Sequence, residues 1–180
     1  MNALRNILNK CLNGLAGLSL IVMTVLTTYQ VITRYVFNAP STWSEELVGY
    51  MFGWATMFGA AICTGERGHM NIPIVVDMLK EGPKKVLLIF GEVVALLFSA
   101  IILVYGGFTV SSLAMGQQTS SLGVAVGLFY WVMPICGVLM VIYSAMNIVA
   151  IAKGESEAAL DEAAAALAKA EADAKAEKEA

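Results

Sequence analysis

The sequence predicts an all-α integral membrane protein: four transmembrane helices, amphipathic interfacial helices, and both termini on the cytoplasmic side (N-in/C-in). Three observations carry this reading. Hydrophobic residues make up 58% of the 180 positions, and the mean hydropathy is +0.73, whereas soluble domains sit near 45–50% apolar. Four segments are long enough to cross a hydrocarbon core of about 30 Å, which takes about 20 helical residues. Lys and Arg gather on one side of those segments, as the positive-inside rule requires.

The spans are expected near 12–33, 46–64, 86–110 and 128–152. Arg5 and Lys10 precede the first, Arg67, Lys80, Lys84 and Lys85 separate the second from the third, and Lys153 follows the fourth. The opposite side has only Arg34, so seven cations against one set the orientation. The first span is too long for a signal peptide, and no small-residue cleavage site follows it. It is expected to be retained.

Two segments read as lying on the membrane. Near 2–11, Leu4, Ile7, Leu8, Cys11, Leu12 and Leu15 recur at helical spacing, while Arg5, Asn6, Asn9, Lys10 and Asn13 fill the other face. A basic amphipathic helix of this kind suits the headgroup region. Near 70–82, Pro73 can open a short helix with Ile74, Val75, Met78 and Leu79 as its apolar stripe, and Gly82-Pro83 ends it. Residues 1–152 form the membrane domain. The tail, 153–180, is rich in Ala, Glu and Lys: strong helix formers without an apolar face. From Gly154 onward it carries a net charge of −5, against +2 for the body, so the acidic pI belongs to the tail.

The chemistry available is sparse. Three scattered cysteines, Cys11, Cys63 and Cys136, read as small hydrophobes and not as a redox pair. His69 is the only histidine, too few for bis-His haem ligation or a Cys/His zinc site. No Ser-His-Asp set, phosphate loop or HExxH is present. No enzyme and no cofactor are expected.

Charge at the membrane edge is the informative exception. Arg34, Asn38, Pro40, Trp43, Glu45 and Glu46 fall in one stretch between the first two spans. Thr42-Trp43-Ser44-Glu45 fits a capping box with Thr42 as N-cap, which gives Glu45 a structural role. Glu46 has no place in that box. Arg34 can pair with Glu45 or Glu46 inside the hairpin, or the carboxylates can meet a basic residue of another subunit. Glu92 lies about 9 Å inside the third span, where a carboxylate needs a partner: Arg67, Lys10 or a foreign cation. Structural pairing fits better than a proton relay, which needs a chain of such groups. Gly49-x-x-x-Gly53, Ala55-x-x-x-Gly59 and Gly123-x-x-x-Gly127 are small-residue patterns that permit close helix approach.

Arg34-Tyr35-Val36-Phe37-Asn38, Pro40, Trp43-Ser44-Glu45-Glu46, Gly59-Ala60-Ala61 and Gly68-His69 before Asp77 resemble the small membrane subunit of tripartite ATP-independent periplasmic (TRAP) transporters. The resemblance covers roughly residues 1–152 and leaves out the tail. It implies a bacterial inner-membrane uptake system in which a periplasmic binding protein captures an organic acid and a large, elevator-type membrane subunit moves it with sodium. This chain would be the static, non-catalytic scaffold beside the large subunit, helping to dock the binding protein. Substrate and sodium sites would lie on the large subunit, so no substrate or metal residues are expected here, and C4-dicarboxylate, sialic acid and other organic acids all stay open. The residues expected to meet partners are Arg34, Asn38, Trp43, Glu45, Glu46, His69 and Glu92. The competing reading is a membrane anchor of a quinone or haem redox complex.

Overall fold

The computed structural model describes residues 2–66 and 81–152. His69, Arg67, most of the surface segment expected near 70–82 and the tail 153–180 lie outside the described residues. Among the described residues the chain is built from helices, and four are long and apolar enough to cross a membrane: Arg5–Tyr35, Thr42–Gly65, Pro83–Ala114 and Val126–Ala152. Each contains a span expected from the sequence and extends it. The first helix runs unbroken over Asn2–Tyr35, 34 residues, or about 51 Å. Residues 2–11 therefore continue the first span in one line. A helix so much longer than the hydrocarbon core tilts or projects beyond it.

A polar group inside a bilayer is costly unless satisfied within the protein, because lipid offers no hydrogen bonds. The hydroxyls of Ser19, Thr24, Thr28, Thr33, Thr56, Thr64, Ser99, Thr109 and Ser111 each donate to the carbonyl four residues back, at 2.7–3.0 Å. Asn38, three residues past the end of the first helix, takes a φ of 50°, the left-handed turn that Asn tolerates better than other side chains. The Ala39 N–H then reaches back to Thr33 O at 3.0 Å.

The second helix starts one residue earlier than the sequence suggested, and this overturns the capping box. Its N-cap is Ser41, whose side chain makes no capping bond, and Ser44 Oγ donates to Ser41 O at 2.9 Å. The shift moves Glu45 past the box position and turns it toward Arg34.

The third span changes helix type midway. Glu81–Phe98 is α-helical, Ser99–Gly106 is π-helical with Gly107 N–H donating to Ile102 O, and Gly107–Ala114 returns to α. Its buried positions explain why. Ser99, Leu103, Gly107 and Ser111 are buried at steps of four. In an α-helix such steps walk about 40° around the axis each time. The wider π turn holds them on one face.

The first span packs along the second, the second against the fourth, and the fourth against the third. The core holds Leu12, Phe58, Ala61, Leu103, Val132, Cys136, Met140 and Tyr143. Close approach comes mostly from glycines outside the patterns that the sequence suggested. A Cβ on Gly137 would sit 2.8 Å from Leu103 Cβ, one on Gly107 3.1 Å from Pro134, and one on Gly65 3.0 Å from the Tyr143 ring. Gly127 is pressed against the Ser111 carbonyl, as its pattern predicted, but Gly49, Gly53 and Gly59 meet nothing within 4 Å.

Candidate functional site

Polar contacts concentrate at the two ends of the bundle. At the end where the first span begins and the fourth finishes, Arg5 donates to Gly65 O and, at 2.8 Å, to Asn147 Oδ1. Asn147 Nδ2 donates to Thr64 O at 3.0 Å and to Glu92 Oε1 at 2.8 Å. One turn along, Tyr143 OH donates to Asn9 Oδ1 at 2.5 Å. Asn147 and Tyr143 are fully buried and Glu92 is 2% exposed. All four spans contribute to this network. It also supplies donors to the last carbonyls of the second helix, which have no partner within their own helix, and sets a cation at the negative end of that helix dipole. Lys85 Nζ adds a bond to Ala152 O at 3.0 Å, tying the third span to the end of the fourth.

This placement gives Glu92 a partner the sequence reading did not name, Asn147 of the same chain; Lys10 is exposed, and Arg67, the other cation expected in this chain, lies outside the described residues. Burial takes Glu92 off the outer surface. Arg5, Asn9, Tyr143 and Asn147 were not expected at a site. Their signal was the spacing: Arg5 and Asn9, like Tyr143 and Asn147, stand four apart, so each pair shares one helix face. An Asn within the last span was the other cue.

The opposite end is built differently. Arg34 Nη1 lies 3.7 Å from Glu45 Oε1, with the side chains 60% and 48% exposed, so the pair contributes at most about 1 kcal/mol. Trp43 meets Tyr29 with ring centroids 5.9 Å apart. Glu46 does the fastening: Oε1 accepts from Ser120 N–H at 3.0 Å and Oε2 from Ser121 N–H at 2.8 Å. The loop it holds is already folded on itself. Thr119 N–H donates to Val124 O, Val124 N–H to Thr119 Oγ1, and Gly123 takes a φ of 66° at the turn. Both oxygens of Glu46 are thus used within the chain, whereas Arg34, Asn38, Trp43 and Glu45 stay exposed.

Beneath Glu45 and Glu46 a groove of about 400 Å³ runs between the second span and the start of the fourth. Gly49 and Gly53 lie on its floor. Tyr50 stacks on Phe129 at 4.1 Å and 7°, and Trp54 Nε1 donates to Phe129 O at 2.8 Å, which stiffens one wall. Among the described residues no three His, Cys, Asp or Glu side chains gather where a metal could bind.

Residues 23–154 match the family model described as tripartite ATP-independent periplasmic transporters, DctQ component. A putative TRAP transporter small permease protein of Haemophilus influenzae is 28% identical over 123 residues, covering 68% of this chain and 74% of its own. The sialic acid TRAP transporter small permease protein SiaQ of Vibrio cholerae is 28% identical over 141 residues, 78% of this chain and 81% of its own. The sialic acid TRAP transporter permease protein SiaT of Haemophilus influenzae is 28% identical over 78 residues, 43% of this chain but 13% of its own. Such subunits are components of transporters and not enzymes, and the redox-anchor reading is set aside. With four membrane-crossing helices and a family match over most of its length, the chain is a multi-pass bacterial membrane protein that belongs to the DctQ-component family, the small membrane subunits of TRAP transporters.

Proposed function

We propose that this chain is the stationary scaffold of a sodium-coupled organic-acid uptake system in the bacterial inner membrane, with both termini cytoplasmic. The observation that carries this reading is how the polar groups are used. At both ends of the bundle, side chains from one span fasten another, while the apolar faces look outward. Leu18, Ile21, Val25, Phe90, Phe98 and Tyr105 are all more than half exposed, a surface that calls for lipid or another membrane chain. A body cross-tied at both ends suits a part that stays still while a large partner moves.

The large partner is a TRAP permease subunit. The SiaT match supports this, because there a stretch like this one occupies a small share of a much longer permease chain. SiaQ is named for sialic acid, and another relative, from Vibrio cholerae, for C4-dicarboxylates. Both cargoes are carboxylates, which supports the organic-acid class. The distribution of Lys and Arg supports the orientation, and it puts the Arg34–Glu46 stretch and the Ser120–Ser121 loop on the periplasmic face. There Arg34, Asn38, Trp43 and Glu45 are exposed for a binding protein to touch, on a platform that Glu46 holds together.

Reconstitution tests the proposal. Proteoliposomes holding this chain and its large permease, supplied with the binding protein and its organic acid, are expected to accumulate substrate only under an inward sodium gradient and only when this chain is present. Equal uptake without the chain, or uptake indifferent to sodium, contradicts it.

A further inference from the structure

The first span is held by two kinds of contact that differ along its length. Its most apolar window is only 6% buried, against 44% for the fourth span. Its backbone runs close to the second span, but what joins it to the fourth is a set of side chains. Arg5 meets Asn147 and Asn9 meets Tyr143. Going up one helix by four residues goes down the other by four, so the two contacts are successive rungs of one antiparallel ladder. Farther along, Leu12 belongs to the same core cluster as Met140 and Cys136, and Ala16 packs against that cluster. Beyond residue 16 only Ser19 and Thr33 of this helix are buried.

From this ladder we infer that the first turns of the first span are a latch, a separately releasable unit closed by Arg5. Opening it frees residues 5–16 from the fourth span while the second, third and fourth spans keep their packing. Arg5 suits the closing role because its long side chain carries Nη2 to two acceptors at once, Gly65 O on the second span and Asn147 Oδ1 on the fourth. It thereby fixes the first span against both neighbours with one side chain. A lysine in its place keeps the charge on a shorter side chain without the planar guanidinium. The other three spans do not depend on the latch in the same way. Leu103 seats against Gly137, Pro134 against Gly107, and Trp54 bonds to Phe129 O without any residue of the first span. Local units that open below the global unfolding threshold are those with few buried apolar contacts, and the first span is the element that fits.

Amide hydrogen exchange on the full-length chain in lipid nanodiscs tests the latch, with peptides over 5–16 compared with peptides over 86–98 and 132–150. Arg5→Met is expected to speed exchange at 5–16 by about tenfold or more and to leave the other two regions unchanged. Arg5→Lys should fall between Arg5→Met and the parent chain. Tyr143→Phe, which deletes one hydroxyl and cannot unfold the bundle by cavity formation, should speed exchange at 5–16 by a few-fold. The double variant Arg5→Met/Asn147→Leu should exchange at 5–16 no faster than the faster single, because both break the same rung. Unchanged exchange at 5–16 in Arg5→Met and Tyr143→Phe overturns the latch. So does a rise of equal size in all three regions, or full addition of the two effects in the double variant.

Discussion

The two ends of this bundle solve the same problem, a charge beside lipid, in opposite ways. At the terminal end the charges are drawn inward: Glu92 is 2% exposed and is linked to Arg5 through Asn147, with all four spans contributing. At the other end Arg34 and Glu45 remain half-exposed at 3.7 Å, and only Glu46 is committed, to two loop amides. A buried charge that loses its partner is costly, whereas an exposed pair contributes little. The terminal end is therefore where the chain secures its fold, and the other end keeps its charges at the surface, as the docking role proposed for it requires.

This contrast ranks the expected effects of substitution. Asn147→Leu strips Glu92 and Arg5 of a shared partner and is expected to cost about 3–5 kcal/mol, read as a fall in the detergent-solubilised denaturation midpoint. Should it cost less than Arg34→Ala, the ranking fails. Next comes Gly137→Ala, which drives a methyl to 2.8 Å from Leu103 Cβ and is expected to cost about 1–3 kcal/mol by overpacking. Gly53→Ala, with nothing within 4 Å, should be near neutral in the isolated chain, and the pair can be compared in one melting series. Glu46→Ala removes two charge-assisted bonds at a partly exposed site. A loss of about 1–2 kcal/mol is expected, with faster amide exchange at Ser120 and Ser121 as its local signature. Arg34→Ala should change stability by less than about 1 kcal/mol. If Arg34 serves docking as proposed, the same change weakens binding-protein association, measurable by titrating that protein against the assembled transporter.

The four spans were legible because lipid imposes length and composition so strictly, and their observed helices contain every expected segment. The polar cluster was harder to read. Residues 2–11 alternate polar and apolar faces, and a periodicity cannot say whether the polar face meets water or other helices. Here that face is divided: Arg5 and Asn9 bond inside the bundle, while Asn6, Lys10 and Asn13 are exposed. Glu92 was legible as a group that needs a partner. One that it has, the neutral Asn147 from a span 55 residues away, bridges it to Arg5, and such a bridge leaves no complementary charge in the local sequence. The capping box failed by one residue, since sequence alone does not fix where a helix begins. The small-residue patterns were met only in part, because glycines such as Gly49 and Gly53, which line the groove with nothing within 4 Å of a Cβ, look the same in sequence as packed ones such as Gly107 and Gly137.

The central claim, that this chain is a body that stays rigid while its partner moves, can be measured directly. Spin labels at exposed positions, Val36 with Val124 at one end and Ile7 with Val86 at the other, report distances within this chain in the assembled transporter. With and without sodium and substrate, both distances are expected to stay the same while a label on the large permease moves. A change of several ångströms at either end of this chain, in step with substrate, would contradict the scaffold account.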